Sequence, residues 1–285
     1  MTSIDIASAK CIGCGKCVRV CPSGTLSFGE KVATVEHPEF CISCAHCVDV
    51  CGSMAITHSK FPPSTLHSVD YSLYPKEESL LMLLMARRSN RALLKSEVPA
   101  ELLTKIVEAA HLAPTATNSQ KISYTIVTGE ENLRTIQDFT MNHFIGLYKL
   151  LTFPPLRFIL KPFIGGLYRK YVPSFKKMIA SHRSGGDPIL RGTRAVIFIH
   201  TPKGQRFAAE DCNLAYQNGS LMAECLGVSQ IYTGFVLTAA KSKGGKLERK
   251  LGIEGRISAG MALGMPAFRY DNYSDREPLK CNSRP

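Results

Sequence analysis

Eight cysteines between positions 11 and 51 constrain this chain more than any other feature. They form two runs of one spacing: Cys11-x2-Cys14-x2-Cys17-x3-Cys21, and thirty residues later Cys41-x2-Cys44-x2-Cys47-x3-Cys51. Met1 to Lys10 lack the apolar centre of an export signal, so a cytoplasmic location is expected and thiols rather than disulfides. Clustered thiols in a reducing compartment point to metal. Zinc needs four ligands in a tetrahedron, usually as two pairs, and has no use for a third cysteine at x2 and a fourth at x3, repeated. The same spacing lets three sulfurs from one tight loop reach three corners of an iron–sulfur cube, while the fourth points toward the other loop's cube. Gly13, Gly15 and Ser43 are small enough to let backbone wrap closely around sulfide.

Over nearly all of residues 1–60 the block resembles a bacterial two-[4Fe-4S] ferredoxin. The resemblance assigns Cys11, Cys14, Cys17 and Cys51 to one cluster and Cys41, Cys44, Cys47 and Cys21 to the other. Gly52 stands where a proline normally follows the last cysteine, a departure that removes no ligand. Such clusters move one electron at a time and do no chemistry on organic substrates, so a second domain is expected to donate or receive electrons.

The chain has 285 residues, of which 45% are hydrophobic and 20% charged. That length suggests one large domain or two smaller ones, and the composition excludes wholesale disorder, collagen and coiled coil. No run of about 20 apolar residues exists to span a membrane. Phe61-Pro62-Pro63 through Tyr74-Pro75-Lys76 reads as a linker over 61–76. From 77 to 272 the pattern is that of an α+β domain, and 273–285 form a polar tail. An amphipathic helix is expected from 77 (Leu80, Leu81, Leu83, Leu84, Met85), and another from Pro99 to Ala113, closed by Pro114. Ser123–Thr128 and Ala195–His200 read as buried strands. Phe207–Leu226 reads as a helix ended by Gly227, with an apolar stripe of Leu214, Leu221, Met222 and Cys225. Gln230–Leu237 and Ile257–Leu263 read as further strands, and Cys212 and Cys225 as helix core thiols.

No Gly-x-Gly-x-x-Gly follows a strand and no Walker loop appears, so a Rossmann-type nicotinamide site is unsupported. Two other strings carry the chemistry. Arg87-Arg88-Ser89-Asn90-Arg91 ends the first helix after the linker, and three guanidiniums beside a hydroxyl can grip a phosphate. Ala113-Pro114-Thr115-Ala116-Thr117-Asn118-Ser119-Gln120 follows the next helix. In order and spacing these strings resemble the FMN-dependent nitroreductase family over roughly 77–270, as do Asn213, Ala215, Asn218 and Ala223-x-x-Leu226-Gly227, Tyr232-Thr233-Gly234, Leu251-Gly252-Ile253 and Met261 to Pro266. The resemblance implies that Arg87, Arg88 and Ser89 hold the FMN phosphate with Arg91 nearby. It implies that Asn118 and Gln120, in one string with Pro114 and Thr115, contact the ribityl chain or ring. Backbone around Thr233 and Gly234 would face the isoalloxazine, and Arg269 would also reach the phosphate. Lys121-Ile122 departs from the proline and aromatic that commonly follow the glutamine.

The charge is uneven: residues 1–70 hold five basic and six acidic side chains, and the remaining 215 hold thirty and seventeen, so the basic excess behind the net +12 belongs to the remainder. Much of the excess lies in 142–194, which carries ten Lys and Arg against Asp187 alone, interleaved with aromatic and aliphatic residues. Prolines 154, 155 and 162 are expected to break this insertion into short pieces. Three roles fit it: a basic substrate lid, a segment touching anionic lipid, or a dimer-packing element. No nucleic-acid-binding module is recognisable in the basic residues. The expectation is an iron–sulfur flavoprotein, homodimeric by the resemblance, with two [4Fe-4S] clusters and FMN. It would pass electrons from a low-potential donor such as reduced ferredoxin to a small electron-poor acceptor, a nitroaromatic or quinone. The alternatives are reductive dehalogenation or reduction of a specialised metabolite, and a non-catalytic electron-transfer partner.

Overall fold

The computed structural model describes residues 3–283, and of residues 156–164 and 167 the helical backbone only. The chain divides into two units. The first comprises Met1–Pro75 with Thr115–Gln120, and the second Lys76–Pro114 with Lys121–Pro285. The expected linker therefore groups with the cysteine block, and six residues expected in the second domain group with it too.

In the first unit β1 (Ile4–Ile6) pairs antiparallel with β4 (Ile56–His58), and β2 (Leu26–Phe28) with β3 (Ala33–Val35). The short helices α1 (Lys16–Val20) and α2 (His46–Asp49) follow the two cysteine loops. The thirty-residue repeat is structural as well as sequential: β2 and β4, and α1 and α2, occupy matching positions in the two runs. Cys17, Leu26, Ala33, Val48 and Ile56 close a small core between them.

The second unit is built on a four-stranded antiparallel sheet ordered β5 (Ser123–Thr128), β6 (Ala195–Thr201), β8 (Arg256–Gly264) and β7 (Ser229–Tyr232). Every residue of β6 is buried because helices cover both faces. Side chains alternate along a strand, so Val196 and Phe198 enter one core cluster while Ala195, Ile197 and Ile199 enter the other. The first cluster lies under α5 (Glu130–Thr152), α6 (Pro154–Arg183) and α8 (Gly234–Ser242); the second lies under α4 (Ala100–His111) and α7 (Ala208–Cys225). The remaining helices are α3 (Glu77–Ala86) and α9 (Lys246–Lys250). Among the described residues no helix is long and apolar enough to cross a membrane.

Four expectations are corrected. The insertion is not short pieces: α5 runs 23 residues and α6 runs 30, separated at Phe153, because Pro154 and Pro155 occupy the first helical turn where no backbone donor is needed. Phe144, Phe175, Met178 and Ile179 from this region are core residues. The side chains of 156–164 and 167, among them Pro162 and two of the insertion's ten basic residues, Arg157 and Lys161, lie outside the described residues. Gln230–Leu237 is not one strand; β7 stops at Tyr232 and Val236 and Leu237 are buried on α8. Helix α7 buries Cys212, Ala215, Gly219, Ser220 and Ala223 rather than the expected stripe, leaving Leu214 and Cys225 exposed. A Cβ on Gly219 would stand 3.2–3.3 Å from Met261, Ala110 and the Ile106 carbonyl, so the small face is what allows close packing. Finally, α3 has the expected apolar residues but buries none of them.

Candidate functional site

The first unit holds two cavities, each lined by four of the eight cysteines. One is bordered by Cys11, Cys14, Cys17 and Cys51, together with Gly15, Ala33 and Ile56. The other is bordered by Cys41, Cys44, Cys47 and Cys21, with His58 and Leu26. The fourth cysteine of each run thus faces the other run's cavity. Among the described residues no three His, Cys, Asp or Glu side chains close on one metal ion, and all eight thiols are free of disulfides. Each quartet surrounds a space rather than a point, which suits a cube of iron and sulfide.

Hydrogen-bond donors already point at these sulfurs. The Ser43 amide lies 3.4 Å from Cys41 Sγ and the Ala55 amide 3.3 Å from Cys51 Sγ. Cys21 and Cys51 each have a serine hydroxyl two residues on, Ser23 at 3.7 Å and Ser53 at 3.6 Å. Burial alone would raise the Cys21 thiol, yet hydrogen bonds from Ser23 and Thr25 outweigh it and bring it down to about 7. Cys51 is lowered in the same manner, against its own burial, by Ser53, Ala55 and Ile56. Cys47 lacks enough such bonds: burial, reinforced by Cys41 and Cys44, pushes it up to about 11. Donors that favour thiolate are what a metal-bound sulfur needs. His58, absent from the sequence expectations, is 4% exposed and places Nε2 3.6 Å from Cys41 Sγ.

The string Thr115–Gln120 is tightly wound within this unit. Thr117, Asn118 and Gln120 all have positive φ, between 49° and 51°. The Gln120 amide donates to Thr115 Oγ1, and Gln120 Nε2 donates to Asn118 Oδ1. Asn118 Nδ2 donates to the Ser43 carbonyl at 2.6 Å. Both amide side chains are therefore engaged with their own string and the second cysteine loop.

In the second unit the arginine run begins where α3 ends, the Arg87 amide donating to the Leu83 carbonyl. Pairing of 92–94 with 265–267 continues past β8: Leu94 N donates to the Met265 carbonyl at 2.8 Å and Ala267 N to the Ala92 carbonyl at 2.9 Å. Asn90, buried and likewise missed, clamps the junction. Its Nδ2 donates to the Phe268 carbonyl at 2.8 Å, and its Oδ1 accepts the Ala92 amide at 3.0 Å. This pairing brings Arg88 and Arg269 to one pocket, walled by Asn90, Glu224, Gly227 and Ser229. Gly227 has φ 71°, and a Cβ there would meet Arg269 Nη2 at 2.6 Å, so the guanidinium lies against bare backbone. The residues fit an anion such as a phosphate monoester.

Arg87 acts on Tyr216 instead: burial raises that phenol to about 12, and the Arg87 charge draws it the other way. Arg91 is exposed and donates to the Ser89 carbonyl, while Ser89 is half-buried beside it. Pro114 is exposed at the close of α4. Thr233 is buried at the junction of β7 and α8, its amide donating to the Gly260 carbonyl, with Gly234 opening α8. Neither lines the arginine pocket.

Residues 84–265 match the nitroreductase family. The chain belongs to that family. Residues 10–55 match the 4Fe-4S dicluster domain, so this nitroreductase-family chain is an oxidoreductase with an iron–sulfur unit at its front. Among solved structures it is similar to a nitroreductase with bound FMN from Bacteroides fragilis NCTC 9343, at 19% identity and TM-score 0.52, covering 73% of this chain and 97% of that one. It is similar also to a nitroreductase with bound FMN from Desulfitobacterium hafniense DCB-2, at 19% identity and TM-score 0.53, covering 71% and 97%. These likenesses carry the nitroreductase fold. Comparison with curated proteins finds no match.

Proposed function

We propose that this nitroreductase-family chain takes single electrons from a low-potential donor, through two [4Fe-4S] clusters and FMN, and delivers them to a small electron-poor acceptor such as a nitroaromatic or quinone. The observation that carries the reading is the pair of crossed cysteine-lined cavities on the same chain as the Arg88–Arg269 pocket. FMN supplies the change from one-electron to two-electron chemistry that iron–sulfur clusters lack. Arg88 and Arg269 hold its phosphate, with Arg87, Ser89 and Arg91 in the adjoining run. The peptide groups around Thr233 and Gly234 face its ring. The cysteines hold the clusters in the crossed arrangement.

Helix α3 favours a homodimer: Leu80, Leu81, Met82, Leu84 and Met85 are each 38–50% exposed, an apolar face that a second copy would cover. Phe153 and Tyr171, exposed on the α5–α6 excursion, are the side chains that a lid over the acceptor would use.

The reading is tested by anaerobic turnover with chemically reduced ferredoxin and a panel of nitroaromatics and quinones. Reduction of at least one acceptor is expected, and no turnover with any of them contradicts the enzymatic reading. Arg269→Ala removes one charge-assisted contact worth about 1.5–3 kcal/mol, so FMN affinity is expected to fall about 10- to 100-fold in equilibrium dialysis. Unchanged affinity would remove Arg269 from the phosphate site.

A further inference from the structure

The two cluster sites are built on one repeat, yet the groups around their sulfurs differ. Counting thirty residues forward, Gly13 becomes Ser43 and Phe28 becomes His58. Phe28 has no N–H to offer and its ring lies beside the Gly13–Gly15 loop. His58 has one, and its direction is fixed by geometry. The Lys60 amide donates to His58 Nδ1 at 3.1 Å, so that nitrogen carries the lone pair. The neutral ring must then carry its proton on Nε2, the atom 3.6 Å from Cys41 Sγ. Packing against Phe61, with ring centroids 4.8 Å apart, holds the ring in place.

A second donor reaches the same sulfur. The Ser43 amide points at Cys41 Sγ from 3.4 Å, in a residue held at φ 53°, and Asn118 Nδ2 grips that residue's carbonyl at 2.6 Å. Asn118 thus fixes the loop conformation that aims the amide. Backbone amides reach sulfurs at both sites, from Ser53, Ala55 and Ile56 to Cys51 in the first and from Ser23 and Thr25 to Cys21 in the second, and the serine contacts to Cys21 and Cys51 are common to both. Among these contacts the second site alone has the imidazole donor and, where Ala55 stands at the repeat position, the Thr25 hydroxyl. Hydrogen bonds to cluster sulfurs withdraw charge and stabilise the reduced, more negative state.

We propose that the cluster held by Cys41, Cys44, Cys47 and Cys21 has the higher reduction potential of the two, and that His58 and Asn118 are positioning residues that set it through the Cys41 sulfur. With both clusters bound, the transfer this order would favour is of one electron from the first to the second, with no bond or proton moved. The direction of flow rests on the electron path proposed above, whereas the two potentials do not.

The test is a potentiometric titration of the full-length, anaerobically purified protein, followed by electron paramagnetic resonance. Signals are assigned with Cys14→Ala and Cys44→Ala, one for each cluster. The second cluster is expected to be reduced first. His58→Phe, which copies the first half of the repeat, is expected to make it about tenfold harder to reduce, a fall of about 59 mV for one electron. The first cluster should not move. His58→Gln keeps an N–H and should shift it less, and Asn118→Ala should make the second cluster about threefold harder to reduce, a fall of about 28 mV. A first cluster reduced before the second, or a His58→Phe protein in which neither potential shifts, overturns the proposal. If His58→Phe loses its second cluster, seen as halved iron, the Gln and Asn118→Ala proteins decide by the same criteria. Because no acceptor is present, failure of turnover and failure of this asymmetry are read separately.

Discussion

The two halves of the cysteine repeat reach one backbone with different residues. Positions 13 and 15 are glycines at φ 66° and 67°; positions 43 and 45 are Ser and Ala at 53° and 66°. The left-handed conformation costs an L-residue roughly 1–2 kcal/mol, so the second half tolerates strain that the first avoids. At Gly13 the requirement is absolute, since a Cβ would meet the Lys31 carbonyl at 2.6 Å. At Ser43 the side chain is accommodated, and the same residue supplies an amide to Cys41 and a carbonyl to Asn118. The halves share ligand spacing because the cube demands it. They diverge where the second loop has neighbours of its own: His58 and the Thr115–Gln120 string.

That comparison breaks first at the crossed cysteines. Cys51→Ala should cost about half the iron, and the surviving signal should be that of the cluster that Cys44 holds. Cys51→Ala and Cys14→Ala should then lose the same paramagnetic signal, and Cys21→Ala and Cys44→Ala the other. Loss of one signal by Cys51→Ala and Cys44→Ala together would mean that each run holds its own cube. A smaller effect is expected at the glycines. Gly13→Ala adds a backbone clash to an unfavourable φ and should destabilise the holoprotein by about 2 kcal/mol or more, read as a lower midpoint of anaerobic thermal unfolding. Ala45→Gly should do the reverse, raising stability by up to about 1 kcal/mol, since relief of strain is offset in part by the greater freedom of an unfolded glycine. A lower midpoint for Ala45→Gly would show that its methyl contributes packing worth more than the strain.

The cysteine quartets were legible in the sequence because ligand spacing is a local property and the repeat is explicit. The strands at 123–128 and 195–200 were legible for a similar reason, branched residues bounded by turns, but only the second is buried as expected; β5, at the edge of the sheet, buries Val127 alone. Helix α7 misled because its buried face is made of Cys212, Ala215, Gly219 and Ala223, small residues chosen for close approach to β8 and α4 rather than for hydrophobicity. Gly234 to Leu237 misled because a short apolar run suits strand and helix alike until its neighbours decide. The pocket between Arg88 and Arg269 was half legible. The arginine run is a visible charge cluster, but its meeting with Arg269 depends on Asn90 and its bond to a residue 178 positions away. Asn90 stood inside the run that was read, and His58 stood at the repeat position of Phe28; an alignment of the two halves residue by residue was the available signal for the latter.

The central claim, that paired iron–sulfur clusters and a flavin occupy one chain, is tested most directly by composition. Iron, acid-labile sulfide and flavin are quantified, with an absorption spectrum, on protein purified without oxygen. About eight iron, eight sulfide and one FMN per chain are expected. A colourless protein, or one holding zinc in place of iron, would contradict the account.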